Sequence, residues 1–448
     1  MKIKLVAPKM SLRPMDSEFK RLMAPSIALL VLAALTPEEY DVEIIDENVA
    51  PIDNYDRVDL VGITCNVDTF EGARIHSLQY QKNGSPVIFG GIFPSSSPQT
   101  AGQYATSVCI GDAEPVWHQI LKDAQQGNLK KTYRCENEYP AELIPQPKWS
   151  AVDCAKYLYT NIVITSRGCP YKCDFCYNSS PYMQRPYRRR KLDDVIDEIK
   201  KLNTKQVLFI DDNFIGDKLW VSDFLRAVKP LDLTWHAAVS ADIGKDLRLL
   251  DCMKETGCRS LYIGFESINA NSIAGVGKSQ NKVSEYGKII DEVHRRGIMI
   301  NASLVFGFDN DYPDVFETTL DWLIKNRIET MTSHILTPYP GTKLYERLQK
   351  EGRIIDNNLN HYNTSNVVFQ PKNMTPDELL SGYLTMYNKF YSVKNILRRI
   401  PKSNDVWIPY LLFNLGYRKF GSIASKIGTF GYMHKIGRLA SRLSYGIG

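Results

Sequence analysis

Apolar runs of four to six residues recur along the first third of the chain, at residues 2–7, 41–46, 60–64, 86–89 and 107–110. Their length and continuity suit strands buried on both faces. Residues 26–35, 69–82 and 114–125 lie between or after them and are long enough for helices. Alternating strands and helices predict a doubly wound parallel sheet, which takes ligands outside the carboxyl ends of its strands. Gly90-Gly91 directly follows the fourth run and would let a ligand approach the backbone; a tight turn would use the same pair. Pro140, Pro145 and Pro147 interrupt any regular element, so residues 131–158 are expected to link this first segment, 1–130, to the next.

From 159 to 355 a strand-then-helix pattern returns six times, with strands expected at 161–165, 206–210, 233–239, 260–265, 299–305 and 332–337. In the helix expected at 192–202, Val195, Ile196, Ile199 and Leu202 share one face. Six such units predict a partial barrel with its chemistry at the carboxyl ends of the strands. Residues 356–448 are expected to be helical and basic. Thr375 is placed to cap a helix with Pro376 at its first position. Tyr383, Tyr387, Phe390 and Tyr391 then form an aromatic face suited to a core.

Chemistry concentrates where the first barrel strand ends. Cys169, Cys173 and Cys176 have the spacing C-x3-C-x2-C. Three thiolates on one short loop can hold three irons of a 4Fe–4S cubane, leaving the fourth open to a substrate or cofactor. A structural zinc knot in a nucleic-acid-binding protein is the competing reading, but zinc wants four closed ligands and no histidine lies between His118 and His236. The second strand ends in Asp211, Asp212 and Asn213. Acids are poor core residues without a partner, so a ligand contact is expected there, with helix capping as the alternative.

The C-x3-C-x2-C run, with Phe175 just before its last cysteine, resembles the radical S-adenosylmethionine superfamily. The resemblance implies that the open iron chelates S-adenosylmethionine and that its reductive cleavage yields a 5′-deoxyadenosyl radical. It implies further contacts at successive strand ends. Asp211, Asp212 and Asn213 would meet the amino group, Ser240 the ribose or carboxylate, and Glu266 in Gly264-Phe-Glu-Ser267 would be a hydrogen-bonding acid. Gly307 would lie along the adenine, and Leu336-Thr-Pro-Tyr-Pro-Gly-Thr342 matches the P-x-P-G-T turn of one subclass. The first segment resembles the cobalamin-binding domain of that subclass through Pro25-Ser26, Ile45-Asp46, Gly62-Ile63-Thr64, Gly90-Gly91 and Gly111-Asp-Ala-Glu114. No D-x-H-x-x-G stretch offers a lower-axial histidine. The fold class is therefore α/β: an N-terminal doubly wound, cobalamin-binding-like sheet, a partial (β/α)6 radical barrel, and a helical C-terminal region. The reaction implied is cobalamin-assisted methyl transfer to an unactivated carbon of a small molecule or lipid. Its alternative is radical dehydration, epimerisation or cyclisation of a sugar-like metabolite without cobalamin.

Composition narrows the setting. With 44% hydrophobic and 23% charged residues the chain reads as globular. Its longest apolar run, 27–35, is far below the roughly 18 residues that span a bilayer. The N-terminus reads as a strand, not a signal peptide. Nine cysteines suggest no disulfide framework, and an oxygen-labile cluster favours the cytoplasm. Residues 389–448 hold eleven Lys/Arg and one acid, Asp405. Such a tail could meet an anionic membrane surface or be a solvated face, with nucleic acid a weaker option. Residues 185–191 hold five basic residues that could dock an acidic electron donor, flavodoxin or ferredoxin, or an anionic substrate, or could simply be solvated.

Overall fold

Continuous apolar runs bury both faces of a strand only if helices cover the sheet on each side. The computed structural model of the protein has two six-stranded parallel sheets. It describes the chain except residues 17, 136–138, 181–186, 203, 404–405 and 416–448, and the side chain of residue 19. Two compact units emerge: residues 1–160, 174–185 and 338–363 form the first, and 161–173, 186–337 and 364–448 the second.

In the first unit β1 (Lys2–Ala7), β2 (Asp41–Asp46), β3 (Leu60–Thr64), β4 (Val87–Gly90), β5 (Ser107–Ile110) and β6 (Thr132–Arg134) form one sheet. Their order is β2-β1-β3-β4-β5-β6, and every pairing is parallel. β6 falls inside the stretch expected to be a linker; only Tyr133 of its three residues is buried, too little to register as an apolar run. Ile3, Leu5, Leu29, Leu60, Ile88, Trp117 and Ile120 build a core between this sheet and helices Ile27–Leu35 and Trp117–Gln125. The short helices Ile92–Ser96 and Pro98–Gly102 have no clear period in the sequence and were not expected from it.

In the second unit β7 (Ile162–Val163), β10 (Gln206–Phe209), β11 (Thr234–Ser240), β12 (Cys258–Glu266), β13 (Met299–Phe306) and β14 (Thr330–Ile335) form a parallel sheet in that order. β8 (Ser166–Arg167) and β9 (Arg188–Arg189) make a small antiparallel pair beside it. Helix Leu192–Lys201 buries Val195, Ile196 and Ile199, the face its period predicts. Thr375 caps helix Pro376–Phe390 in a full capping box with Glu378, and Tyr383, Tyr387, Phe390 and Tyr391 are buried.

Two basic features differ from expectation. Arg185 lies outside the described residues, but two of the four basic residues after it serve the fold. Arg189 pairs with Asp217 at 2.7 Å. Arg190 is buried, donating from Nη1 to Glu198 Oε2 at 2.6 Å and to the Ile164 carbonyl at 3.0 Å. Arg399 of the basic C-terminal region is fully buried as well. It donates to the carbonyls of Ile328, Glu329 and Phe390 and stacks 3.5 Å from the Phe390 ring centre. Its guanidinium replaces backbone partners at irregular positions, which a charge count cannot reveal. Six of the eleven basic residues of that region, from Arg418 onward, lie outside the described residues. No helix among the described residues is long and apolar enough to cross a membrane.

The Arg190–Glu198 pair gives a stability test. Arg190→Met strands a buried carboxylate and should lower the unfolding free energy by about 3–5 kcal/mol. Arg190→Met combined with Glu198→Leu should recover most of that loss in anaerobic denaturant titrations.

Candidate active site

Each barrel strand delivers polar side chains at its carboxyl end, where backbone pairing stops and other partners must be found. Asp211, just past β10, is 4% exposed. Its Oδ1 accepts from the Thr165 and Ser166 amides at 2.9 and 2.5 Å and from their hydroxyls at 3.1 and 2.6 Å. Its Oδ2 is buried and has no partner among the described residues. Burial lifts this carboxyl to about 6, against the pull of those four donors. Asp212 next to it is exposed, and its charge reaches Cys169.

Asn213 turns inward and ties two strand ends together. Its Nδ2 donates to Ser240 Oγ at 3.1 Å, and its Oδ1 accepts from the Ser240 amide at 3.3 Å. Ser240 Oγ donates in turn to Asp242. Tyr171, inside the cysteine loop, hydrogen-bonds to Asp242 and Ser240; burial first and Asp242 second push its hydroxyl up to about 12. Asn213 and Ser240 are thus already bonded to each other, which differs from their expected service to a ligand alone. The cause is their opposition across β10 and β11, invisible in either motif by itself.

At the end of β12 the register with β13 slips, and Glu266 takes a positive φ of 63°. Its Oε1 accepts from buried Lys278 and its Oε2 from Ser303 Oγ at 3.3 Å. A Cβ at Gly264 would stand 2.7 Å from Glu266 Oε1, so the G-x-E spacing makes room for the carboxylate. Gly307, after β13, holds φ 100°. Its amide and that of Phe308 donate to Asp311 Oδ2 at 3.0 Å each, and Ser272 donates to Oδ1 at 2.7 Å. Lys278, Gln280, Asp311 and Tyr171 all escaped the sequence reading. Lys278 and Gln280 stand in the run Gly275-Val-Gly-Lys-Ser-Gln-Asn281, whose polarity after a short helix was the available signal.

Of the cysteines, Cys173 is buried, while Cys169 and Cys176 are half-buried. Burial pushes the Cys169 thiol up, opposed first by the Tyr171 amide. Asp212 and Cys173 raise it further, and Lys278 works against them. Cys173 and Cys169 count with the second unit, Phe175 and Cys176 with the first. Phe175 is half-buried beside Asp174, whose carbonyl accepts from the Leu344 amide at 3.1 Å. No three or more His, Cys, Asp or Glu among the described residues gather as around a single ion. A cubane does not ask for that, because each thiolate binds a different iron. The unpartnered acceptors Asp211 Oδ2 and Gln280 Oε1 fit a ligand that brings its own donors.

In the first unit the strand order puts the topological switch point at β1 and β3, between Ala7 and Thr64. Gly90-Gly91 stands one strand further on. A Cβ at Gly90 would meet nothing within 4 Å. Gly91, with φ 105°, is fixed by the backbone, since a Cβ there would come 2.8 Å from the Cys65 carbonyl oxygen. Gly90 is therefore the open member of the pair and Gly91 the turn. Ser95 Oγ donates to the Gly91 carbonyl at 2.7 Å and accepts from the Gly111 amide at 2.9 Å, joining two strand exits.

Residues 163–323 match the family described as the radical SAM superfamily. The match places this stretch, which carries strands β10 to β13, in the radical S-adenosylmethionine superfamily. The chain is an enzyme of that kind, with a 4Fe–4S cluster and S-adenosylmethionine as its cofactors. The zinc-knot alternative falls with that membership. Residues 342–409 match a domain of unknown function, DUF4070. The chain is 28% identical over 405 residues to bacteriochlorophyllide d C-12(1)-methyltransferase of Chlorobaculum tepidum, covering 87% of this chain and 88% of that one. In fold it is similar to the radical S-adenosylmethionine methyltransferase TsrM of Kitasatospora setae, a structure with cobalamin and a [4Fe-4S] cluster bound. The TM-score is 0.62 at 18% identity, over 78% of each chain. It is similar also to the cobalamin-dependent radical enzyme OxsB, at TM-score 0.65 and 16% identity, over 98% of this chain and 72% of that one.

The two oxygens of Asp211 predict a split outcome. Asp211→Asn keeps the acceptor that Thr165 and Ser166 use and should leave the denaturation midpoint near wild type. Asp211→Ala leaves buried donors unpaired and should cost about 2 kcal/mol or more, read in the same titration.

Proposed function

We propose that the protein is a cobalamin-dependent radical methyltransferase that adds a methyl group to an unactivated carbon of a small molecule or lipid. One observation carries the reading. A single chain joins a radical barrel, with a three-cysteine loop past its first strand, to a complete β2-β1-β3-β4-β5-β6 sheet whose exit keeps Gly90 clear of protein. The 28% identical relative, named for methylating a bacteriochlorophyllide, supports the same class of reaction.

Cys169, Cys173 and Cys176 would bind the cluster as thiolates. Desolvation of Cys169 disfavours that charge until iron compensates it, so loading should release protons. When bound, the cluster and S-adenosylmethionine supply the 5′-deoxyadenosyl radical, and cobalamin supplies the methyl group. The protein's own part is position and exclusion of water. Asp211 Oδ2 and exposed Asp212 would accept from the ammonium of S-adenosylmethionine. Ser240 and Glu266, locked by Asn213 and Lys278, would hold its ribose and carboxylate side, and Gly307 would leave a flat backbone beside the adenine. Gly90 would face cobalamin. The electron would come from an external donor of the flavodoxin or ferredoxin class.

Anaerobic purification with added hydroxocobalamin, followed by iron and cobalamin quantitation, is the deciding experiment. The expected result is one 4Fe–4S cluster and one cobalamin per chain. Alanine at any one of Cys169, Cys173 or Cys176 should abolish the cluster and leave cobalamin. Gly90→Val should reduce cobalamin uptake and leave iron intact. A wild-type protein that refuses cobalamin yet forms 5′-deoxyadenosine would replace methyl transfer with hydrogen-abstraction chemistry.

Asp211 adds a pH test. Its carboxyl, raised to about 6, is ionised above that value and protonated below it. An ammonium bound to Oδ2 needs the ionised form. Affinity for S-adenosylmethionine should be flat above pH 6 to 7 and fall by up to about tenfold per unit below. Asp211→Asn should bind more weakly throughout and lose that slope in equilibrium dialysis; an unchanged profile in the variant would return Asp211 to a purely structural role.

A further inference from the structure

Besides its unpartnered oxygen, the Gln280 carboxamide has an NH2 arm that meets the cysteine loop. Its Nε2 lies 4.0 Å from Cys173 Sγ, the long end of an N–H···S hydrogen bond. Its Oε1 is buried and accepts from nothing among the described residues. A thiolate accepts and cannot donate, so the NH2 arm must face sulfur and the oxygen must face away.

The neighbours of Gln280 pin the backbone from which it projects. Two residues before it, Lys278 is buried against Glu266. One residue after it, Asn281 Nδ2 donates to the Gly264 and Phe265 carbonyls at 2.8 and 3.0 Å. The Asn281 amide donates to the Lys278 carbonyl at 3.1 Å, closing a turn around Gln280. A side chain rooted in a pinned backbone has less freedom to lose when the cluster arrives.

Hydrogen bonds to cluster sulfurs are among the protein's means of setting a reduction potential. Each donor stabilises the reduced cluster, with its extra negative charge, more than the oxidised one. Lys278, whose charge reaches Cys169, acts in the same direction. We propose that Gln280 is a positioning residue that donates to the Cys173 thiolate and raises the reduction potential of the iron–sulfur cluster. This rests on the reading of Cys173 as a cluster ligand.

The test is an EPR-monitored redox titration of the cluster-loaded full chain, with iron counted on every sample. Gln280→Leu removes the donor, and Gln280→Glu removes it at equal volume while adding negative charge. At a fixed potential the ratio of reduced to oxidised cluster should fall about three- to tenfold in the leucine variant, the upper figure being 59 mV for a one-electron couple. It should fall further in the glutamate variant. Wild-type potentials in both variants at full iron content would overturn the proposal. Loss of iron in both would also overturn it, since Gln280 would then serve assembly of the site instead of its potential. A wild-type protein without a cluster would defeat the ligand assignment itself, an outcome the iron count separates from the other two.

Discussion

One oxygen of one buried carboxylate anchors the root of the cysteine loop. Asp211 Oδ1 gathers two amides and two hydroxyls from Thr165 and Ser166, three residues before Cys169. A buried carboxylate is expensive, and its elevated pKa reflects that cost. Four donors on one atom are what make the ionised form tolerable. The other side of the root is held by Arg190, whose amide donates to the Thr165 carbonyl at 2.8 Å while its guanidinium pairs with Glu198. The loop therefore departs from a fixed point, and its cysteines need little help from regular structure.

The other strand ends follow the same economy. Asn213, Ser240, Asp242 and Tyr171 form one hydrogen-bonded chain, Glu266 holds Lys278 and Ser303, and Asp311 closes the turn at Gly307. Networks of this kind are rigid when satisfied and costly when broken. A ligand arriving at them meets acceptors already aimed, with their reorganisation done during folding. It also means that a substitution at any of these residues changes the scaffold along with the contact, so binding and stability have to be measured side by side.

Most of the framework was legible in the chain because parallel strands buried on both faces leave uninterrupted apolar runs. β1, β2, β3 and β5 fall on the residues those runs mark, and the barrel strands lie within two residues of theirs at every end. What stayed hidden was whatever depended on neighbours in space. β6 carries a single buried side chain, helix Ile92–Ser96 contains Pro94, and Arg399 is buried against the carbonyls of Ile328 and Glu329, far from it along the chain. The acids at the strand ends were conspicuous, but their division of labour was not. Nothing in Asp211-Asp212-Asn213 says that the first and third turn inward while the second faces solvent.

Two strand exits, one in each sheet, are prepared by opposite means. At β4 of the first, side chains are withheld: Gly90 leaves open space, Gly91 is pinned by Cys65, and Ser95 binds main chain. A stretch of bare backbone there offers amides and carbonyls without charge, which suits a broad ligand held along many atoms. At the second, acids are supplied and then restrained. Asp211 keeps one buried oxygen unpartnered, and Asp212 remains exposed near Cys169. Acceptors with negative charge favour a ligand that is cationic at two points, as S-adenosylmethionine is through its sulfonium and ammonium. They also raise the cost of placing further negative charge on nearby sulfur. Lys278 is the countermeasure, a buried cation held where both Glu266 and Cys169 feel it. The barrel mouth thus reconciles two demands, acids to seat a cation and a positive charge to keep thiolates and their electrons from being repelled.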